Sequence, residues 1–278
     1  MSPGRLTYRQ QMEVIMTGKL SADAIKKIAE ELYQSEKTGI PIEQISKRYE
    51  GMTIDDAYAV QLFNKDRALK EGKRVTGKKI GLTSLAMQQS LGVNQPDFGW
   101  LYNTMDATRT GVIPQKAVMQ PRVEGELAFI LKKSLNGKVT AQEVLDATDY
   151  VIPAIEVVGS RVKDWKLTIV DTVADNASCG MYVLSDMRID PRKVNLKKIP
   201  MALSRGGELI NSGLGSAVLG DPAEAVAWLA YCMGQYGVSL DKGDIVLSGA
   251  LSAAVPAKPG DTFTCDYGEF GALQVRFE

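Results

Sequence analysis

From Val75 onward the chain breaks into short apolar stretches separated by Gly and Pro, with 26 glycines and 11 prolines among its 278 residues. Short runs bounded by turn formers read as strands, and Arg205-Gly206-Gly207-Glu208, set between residues 201–204 and 209–211, reads as a hairpin turn. Two helices interrupt this texture. One follows Thr140, with Glu143 completing a capping box; the other follows Asp221-Pro222, where Asp caps, Pro takes the first turn and Glu224 follows. Upstream the pattern is helical. Ser21 caps a helix over residues 21–36 with Ile25, Ile28 and Leu32 on one face, ended by Gly39 and Pro41. Thr53 caps the amide near Asp56 and opens a second helix, with Tyr58, Leu62 and Leu69 on one stripe up to Gly72. The fold class expected is α+β with a mainly antiparallel sheet system. Residues 1–19 read as a polar arm, disordered or partly a start-site extension, residues 20–74 as a small helical region and residues 75–278 as the main domain.

Charge and residue usage narrow the chemistry. Lys+Arg and Asp+Glu each number 33, and the basic residues are scattered, so no positive field exists to neutralise a nucleic acid or an anionic membrane surface. There is no histidine. That removes Ser-His-Asp triads, Cys-His dyads and His-ligated zinc together, leaving carboxylates, Lys, Tyr, Cys and hydroxyls to act. Cys179, Cys232 and Cys265 are far apart and odd in number, which fits neither a CxxC site nor a disulfide framework and suits a reducing cytoplasm. No apolar run approaches the roughly 18 residues that a membrane-spanning helix needs.

The acids are the first candidates. Arg122-Val123-Glu124-Gly125-Glu126 begins a strand-like run, and on a strand positions i and i+2 share a face. Two carboxylates on an inward face repel unless a cation lies between them, and Mg²⁺ or Mn²⁺ is the obvious one; on a solvent-facing edge they need nothing. Glu156 is a lone acid inside Val151-Ile152-Pro153-Ala154-Ile155-Glu156-Val157-Val158, so it either joins that set or pairs with Arg161 or Lys163. In Gly77-Lys78-Lys79-Ile80-Gly81, alternation puts Lys79 on the face of two glycines, where its ammonium can cross into a cavity if it does not simply lie on the surface. Asp97, in a Pro-Asp-x-Gly segment, serves either turn amides or chemistry. Residues 171–180 read as a loop of small polar groups able to donate hydrogen bonds to an anion. Cys179 has no histidine to activate it as a nucleophile.

Together these segments resemble the fumarylacetoacetate hydrolase superfamily, in particular its 2-oxopent-4-enoate hydratase and 4-oxalocrotonate decarboxylase branch. The resemblance rests on ordered motifs from about Leu20 to the C-terminus: Gly77-Lys78-Lys79-Ile80-Gly81-Leu82-Thr83-Ser84, Gln95-Pro96-Asp97-Phe98-Gly99, Pro121-Arg122-x-Glu124-x-Glu126, Val151-Ile152-Pro153-x-x-Glu156, Asp175-Asn176-Ala177-Ser178, and Leu247-Ser248-Gly249 with Val255-Pro256. It implies a helical N-terminal region on a mixed β-roll main domain, and a Mg²⁺ or Mn²⁺ site at Glu124, Glu126 and Glu156. It further implies catalytic roles for Lys79 and Asp97, and substrate contacts from Lys79 and Ser178. The segment around Asp97, Asp164-Trp165-Lys166 and residues 175–180 look more like the hydratases. The activity expected is therefore hydration of 2-hydroxypenta-2,4-dienoate to 4-hydroxy-2-oxopentanoate in aromatic catabolism, by a cytoplasmic homo-oligomer. Alternatives are decarboxylation of 2-oxo-3-hexenedioate, hydration of a longer or dicarboxylic dienoate with Arg161 or Lys163 taking the distal carboxylate, and a silent subunit partnering a related decarboxylase. Some relatives carry His where Lys78 stands, so that position is not essential to the reaction and is left a role in substrate choice.

Overall fold

A computed structural model describes residues 18–84, 88–89, 92–93 and 95–278. Most of the arm assigned to residues 1–19 lies outside the described residues, as do 85–87, 90–91 and 94. The described end of the arm is anchored: the backbone amides of Lys19 and Leu20 both donate to the Asp56 carboxylate.

Both helices expected near the N-terminus form, because their ends are satisfied locally. Helix α1 (Ala22–Thr38) is capped by Ser21, whose hydroxyl accepts from Ala24 N–H, and ends on left-handed Gly39. A short α2 (Ile45–Arg48) leads to α3 (Ile54–Lys70), where Thr53 and Asp56 form a reciprocal capping box. The buried face of α3 runs through Tyr58, Gln61, Leu62, Lys65 and Ala68. Ala68 takes the core-facing place in the last turn, so Leu69 rotates off the stripe assigned to it and is 42% exposed. Tyr58 stacks on Phe98 with centroids 4.3 Å apart, which fastens α3 to the sheet below.

Two mixed sheets carry the rest. The larger has the strand order β2 (Asp97–Tyr102), β1 (Val75–Gly81), β9 (Ile245–Ala250), β4 (Arg122–Leu131), β5 (Thr148–Val158) and β6 (Met181–Leu184), with β10 (Val255–Pro256) also on β4. All its pairs are antiparallel except β1 with β9. The smaller runs β3 (Val112–Ile113), β12 (Ala272–Phe277), β11 (Thr262–Asp266), β7 (Pro200–Arg205) and β8 (Glu208–Leu214). The hairpin read at Arg205 to Glu208 joins β7 and β8 through a two-residue turn, with φ of 59° and 89° at its glycines. The capped helices α4 (Ala141–Ala147) and α6 (Pro222–Gln235) form as expected and pack on each other. Helix α5 (Ile169–Ala174) packs under α3. One hydrophobic core runs from Ile25 and Ile28 on α1, through Tyr58, to Phe263 and Val275 in the smaller sheet. Among the described residues no helix is long and apolar enough to cross a membrane.

Candidate active site

The register of β4 against β5 sets Glu124 opposite Glu156, with Glu126 two positions along the same face. Carboxylate oxygens of the three lie within 4.8 Å of one another. β4 is an interior strand between β9 and β5, so the exposed-edge alternative does not hold: Glu126 and Glu156 are fully buried and Glu124 partly so. Glu126 Oε2 accepts from Gly249 N–H at 2.9 Å. Among the described residues Glu126 Oε1 and both Glu156 oxygens have no hydrogen-bond partner. Behind the acids the buried Tyr267 hydroxyl shares its one proton between the carbonyls of Glu126 (3.0 Å) and Ala154 (2.7 Å), locking the two strands together. Nothing local in the sequence marks that residue for the task.

Crowding three acids out of water has a cost that shows in their protonation. Burial first, and then the Glu156 charge, push Glu124 up to about 7 and Glu126 well above the usual carboxylate range. Orphaned oxygens on a compact all-carboxylate set fit a hard divalent cation, which accepts oxygen ligands and neutralises the repulsion.

Lys79 supplies the positive charge on the protein side. Alternation along β1 sends it toward the acids, over Gly81, where an added Cβ would meet Asp97 Oδ1 at 2.2 Å. Its ammonium donates to Ala177 O at 3.0 Å and lies 3.2 Å from Glu156 Oε1, an ion pair without hydrogen-bond alignment. Burial alone would favour the neutral amine, but Glu156, with Glu124 and Asp97 adding, holds Lys79 protonated above its ordinary range. The partner of Glu156 is therefore Lys79. Arg161 is committed elsewhere, to Asp175, and Lys163 reaches Glu43 at the surface. Lys78 faces the other way, fully buried in an ion pair with Asp244 and near the Trp100 ring. A direct part for Lys78 in substrate choice does not survive that geometry.

Asp97 heads β2 and is buried beside Lys79, so it is not a turn-capping group. Its Oδ2 accepts from the Thr172 hydroxyl at 3.2 Å, while Oδ1 has no hydrogen-bond partner among the described residues. Burial raises its pKa, against the pull of Lys79 and Thr172. Residues 171–180 are not the loop expected from their composition. The Asp171 carboxylate reaches back to the start of α5, upstream of that stretch, and accepts from both the N–H and the hydroxyl of Thr168 at 2.7 Å. The helix then gives way to a tight turn in which Asn176, Ala177 and Ser178 all have left-handed φ, between 51° and 55°. Three such residues in a row persist only when their surroundings hold them. Asn176 does so by pairing through its side chain with both the N–H (2.8 Å) and the carbonyl (3.0 Å) of Trp100. Gly99 makes room, since a Cβ there would meet Asn176 O at 2.4 Å. The turn aims Ala177 O at Lys79 and puts Ser178 Oγ 3.2 Å from Thr172 Oγ1. Thr172 is the site residue that sequence reasoning missed, a small polar group in an apolar helix with no local mark. Cys179 is buried and its thiol pushed above its ordinary range by that burial, so it offers no nucleophile.

Residues 83–278 match the model of the fumarylacetoacetate (FAA) hydrolase C-terminal family. The chain belongs to this family. Its sheets and helices are the curled, mixed architecture expected of the fold. The chain is 47% identical to a 2-keto-4-pentenoate hydratase of Paraburkholderia xenovorans strain LB400 over 251 residues, covering 90% of this chain and 93% of that protein. It is 43% identical to a 2-hydroxyhexa-2,4-dienoate hydratase of Comamonas testosteroni, covering 88% of this chain and 94% of the relative. Among solved structures, a 4-oxalocrotonate decarboxylase from Pseudomonas putida G7, complexed with magnesium and adipate, superposes with a TM-score of 0.90 at 31% identity, covering 94% of this chain and 99% of the other.

Proposed function

We propose that this FAA hydrolase family member is a hydro-lyase that adds water to 2-hydroxypenta-2,4-dienoate, giving 4-hydroxy-2-oxopentanoate, and that it uses Mg²⁺ or Mn²⁺. The observation that carries the reading is the carboxylate set Glu124, Glu126 and Glu156 with unpartnered oxygens, facing Lys79 and Asp97 in one buried site. The hydratase names of its relatives at 43% and 47% identity supply the substrate class. In this reading the three glutamates hold the ion, which when bound supplies positive charge to the substrate's C1 carboxylate and C2 oxygen.

The chain's own residues do the rest. Lys79, kept protonated by Glu156, adds a second positive charge at the C2 oxygen and stabilises the negative charge that grows there as the enol loses its proton. Protonation at C5 then moves the double bond into conjugation with the ketone, which makes C4 electrophilic. Asp97, through its unpartnered Oδ1, is the base for that proton shift or for the water that attacks C4, whose second proton ends on C3. Ser178 donates a hydrogen bond to the substrate carboxylate. Residues 20–74 form the helical cover of the site and residues 75–278 its catalytic framework. The chain works as a homo-oligomer, a reading supported by Leu209 and Leu214, 63% and 48% exposed on the edge strand β8.

The decarboxylase and dicarboxylic-substrate readings ask for a cation to hold a distal carboxylate, and of the two side chains considered, Arg161 is engaged by Asp175 and Cys179 O and Lys163 pairs with Glu43 at the surface. A silent subunit has no use for Lys79 and Asp97 beside an intact glutamate set. The test is loss of dienoate absorbance with and without Mg²⁺ or Mn²⁺. Wild type should turn the substrate over only with metal, and Glu124→Ala should lose at least about a thousandfold in kcat/KM, the worth of several kcal/mol of charge stabilisation. Absence of turnover in the wild type, together with activity on the hexenedioate, would replace hydration with decarboxylation.

A further inference from the structure

One hydroxyl joins Asp97 to Ser178. Thr172 Oγ1 lies 3.2 Å from Asp97 Oδ2 and 3.2 Å from Ser178 Oγ, and all three side chains are at most 5% exposed. They come from three elements: the first residue of β2, the middle of α5 and the end of the left-handed turn. A hydroxyl has one proton to give, and an ionised carboxylate has none. With Asp97 ionised, Thr172 must donate to it, and Ser178 must then donate to Thr172. The direction of donation is set along the whole chain, and Ser178 has no proton left for a substrate. A neutral acid accepts far more weakly than a carboxylate. Once Asp97 has taken a proton, Thr172 is released to turn, and Ser178 with it.

We propose that Thr172 is a positioning residue that couples the charge state of Asp97 to the direction of the Ser178 hydroxyl. Ser178 is held inward while Asp97 waits as a base, and turns its O–H to the substrate carboxylate only after Asp97 has accepted a proton. As the enol or water O–H bond breaks, the Asp97 O–H bond forms and the electron pair left on oxygen moves into the C2 carbonyl or into the new bond to C4; Thr172 and Ser178 keep their protons and merely rotate. The identity of the proton donor rests on the hydratase reading, but the coupling itself does not need a substrate. Other groups that share Asp97's field are Lys79 on β1, Glu124 on β4, Glu156 on β5, Tyr58 on α3 and Cys232 on α6. None of these lies between Asp97 and Ser178 in the hydrogen-bonded chain.

The experiment tracks the Asp97 carboxyl stretch by infrared spectroscopy across pH in substrate-free protein, isolated by subtracting Asp97→Asn, alongside the pH profile of kcat/KM on the dienoate. Thr172→Val should raise the Asp97 midpoint by roughly one pH unit, because a hydrogen bond to the charged form is lost. The rising limb of kcat/KM should move up with it, and Thr172→Ser should restore both. Thr172→Ala serves as a second hydroxyl-free variant if the valine protein does not fold. Ser178→Ala should shift the midpoint in the wild type and leave it unmoved in Thr172→Val. The coupling is overturned if the hydroxyl-free variants keep the wild-type midpoint, if Thr172→Ser is damaged as much as Thr172→Val, or if Ser178→Ala shifts both backgrounds equally. Wild-type protein that turns over no dienoate sinks the hydratase reading alone, since the infrared midpoints still decide the coupling.

Discussion

Two buried charge clusters lie on either side of the Asn176–Ser178 turn, and they are built on opposite terms. On one side Arg161 spends its guanidinium on Asp175 Oδ1, the Asp175 carbonyl and the Cys179 carbonyl, while its backbone N–H takes Asp175 Oδ2. Each guanidinium nitrogen and each oxygen of the carboxylate in that knot has a partner. On the other side Glu126 Oε1, both Glu156 oxygens and Asp97 Oδ1 are left without hydrogen bonds, with one ammonium among four acids. A saturated cluster holds the chain in place and asks for nothing more. An unsaturated one is stable only with company from outside the chain, because buried charge without partners is costly. Saturation, rather than burial or charge, separates the scaffold from the site.

Breaking the saturated side should have the largest effect on folding. Arg161→Ala strands the buried Asp175 carboxylate, so urea denaturation should report a loss of about 3–5 kcal/mol, with activity lost only as the fold is lost. On the unsaturated side the reverse should hold. Lys79→Met should lower kcat/KM by at least about a hundredfold if its charge acts on the reacting oxygen as proposed. Its neighbour gives the contrast within one dipeptide: Lys78→Met breaks the pair with Asp244 and should lower the melting temperature while leaving the KM of the folded enzyme unchanged.

The smallest effect is one of pH, and both sides contribute to it, because burial also holds Asp175 up at about 6 against the pull of Arg161. Glu124 is raised to about 7 in the metal-free fold, above its value in the unfolded chain. Between the ordinary carboxylate range and 7 the native state therefore binds more protons than the unfolded one, and metal-free stability should fall as pH rises through that window. A divalent ion must displace that proton and the one that burial keeps on Glu126, so Mg²⁺ affinity measured by calorimetry should weaken by at least about tenfold per pH unit below 7, with proton release on binding. Metal-free melting that rises across pH 5–7 would break the account.

Much of the unsaturated site is legible in the sequence alone. Glu-x-Glu on one strand face, a lone acid in an apolar strand and a lysine flanked by glycines are local patterns, and period-two alternation carries each of them straight into three dimensions. The capped helices are legible for the same reason, since Ser21, Thr53, Thr140 and Asp221 satisfy amides within three residues of themselves. The turn at Asn176 is not. Composition alone reads residues 171–180 as a loop, because α5 starts upstream, where Thr168 donates to Asp171, and the strain of three left-handed residues is offset by Trp100, 76 positions away.

By itself, then, the order of residues determined which groups could do chemistry and which faces they share along each strand or helix, because those relations depend on neighbours a few positions apart. Pairing was left to the fold. That Glu156 meets Lys79 instead of Arg161, that Lys78 turns its back on the site, and that Thr172 stands between Asp97 and Ser178 all depend on contacts between segments far apart in sequence. Such contacts are chosen by strand register and by the competition among buried charges for the few partners within reach, and neither is settled until the sheets and helices have closed around them.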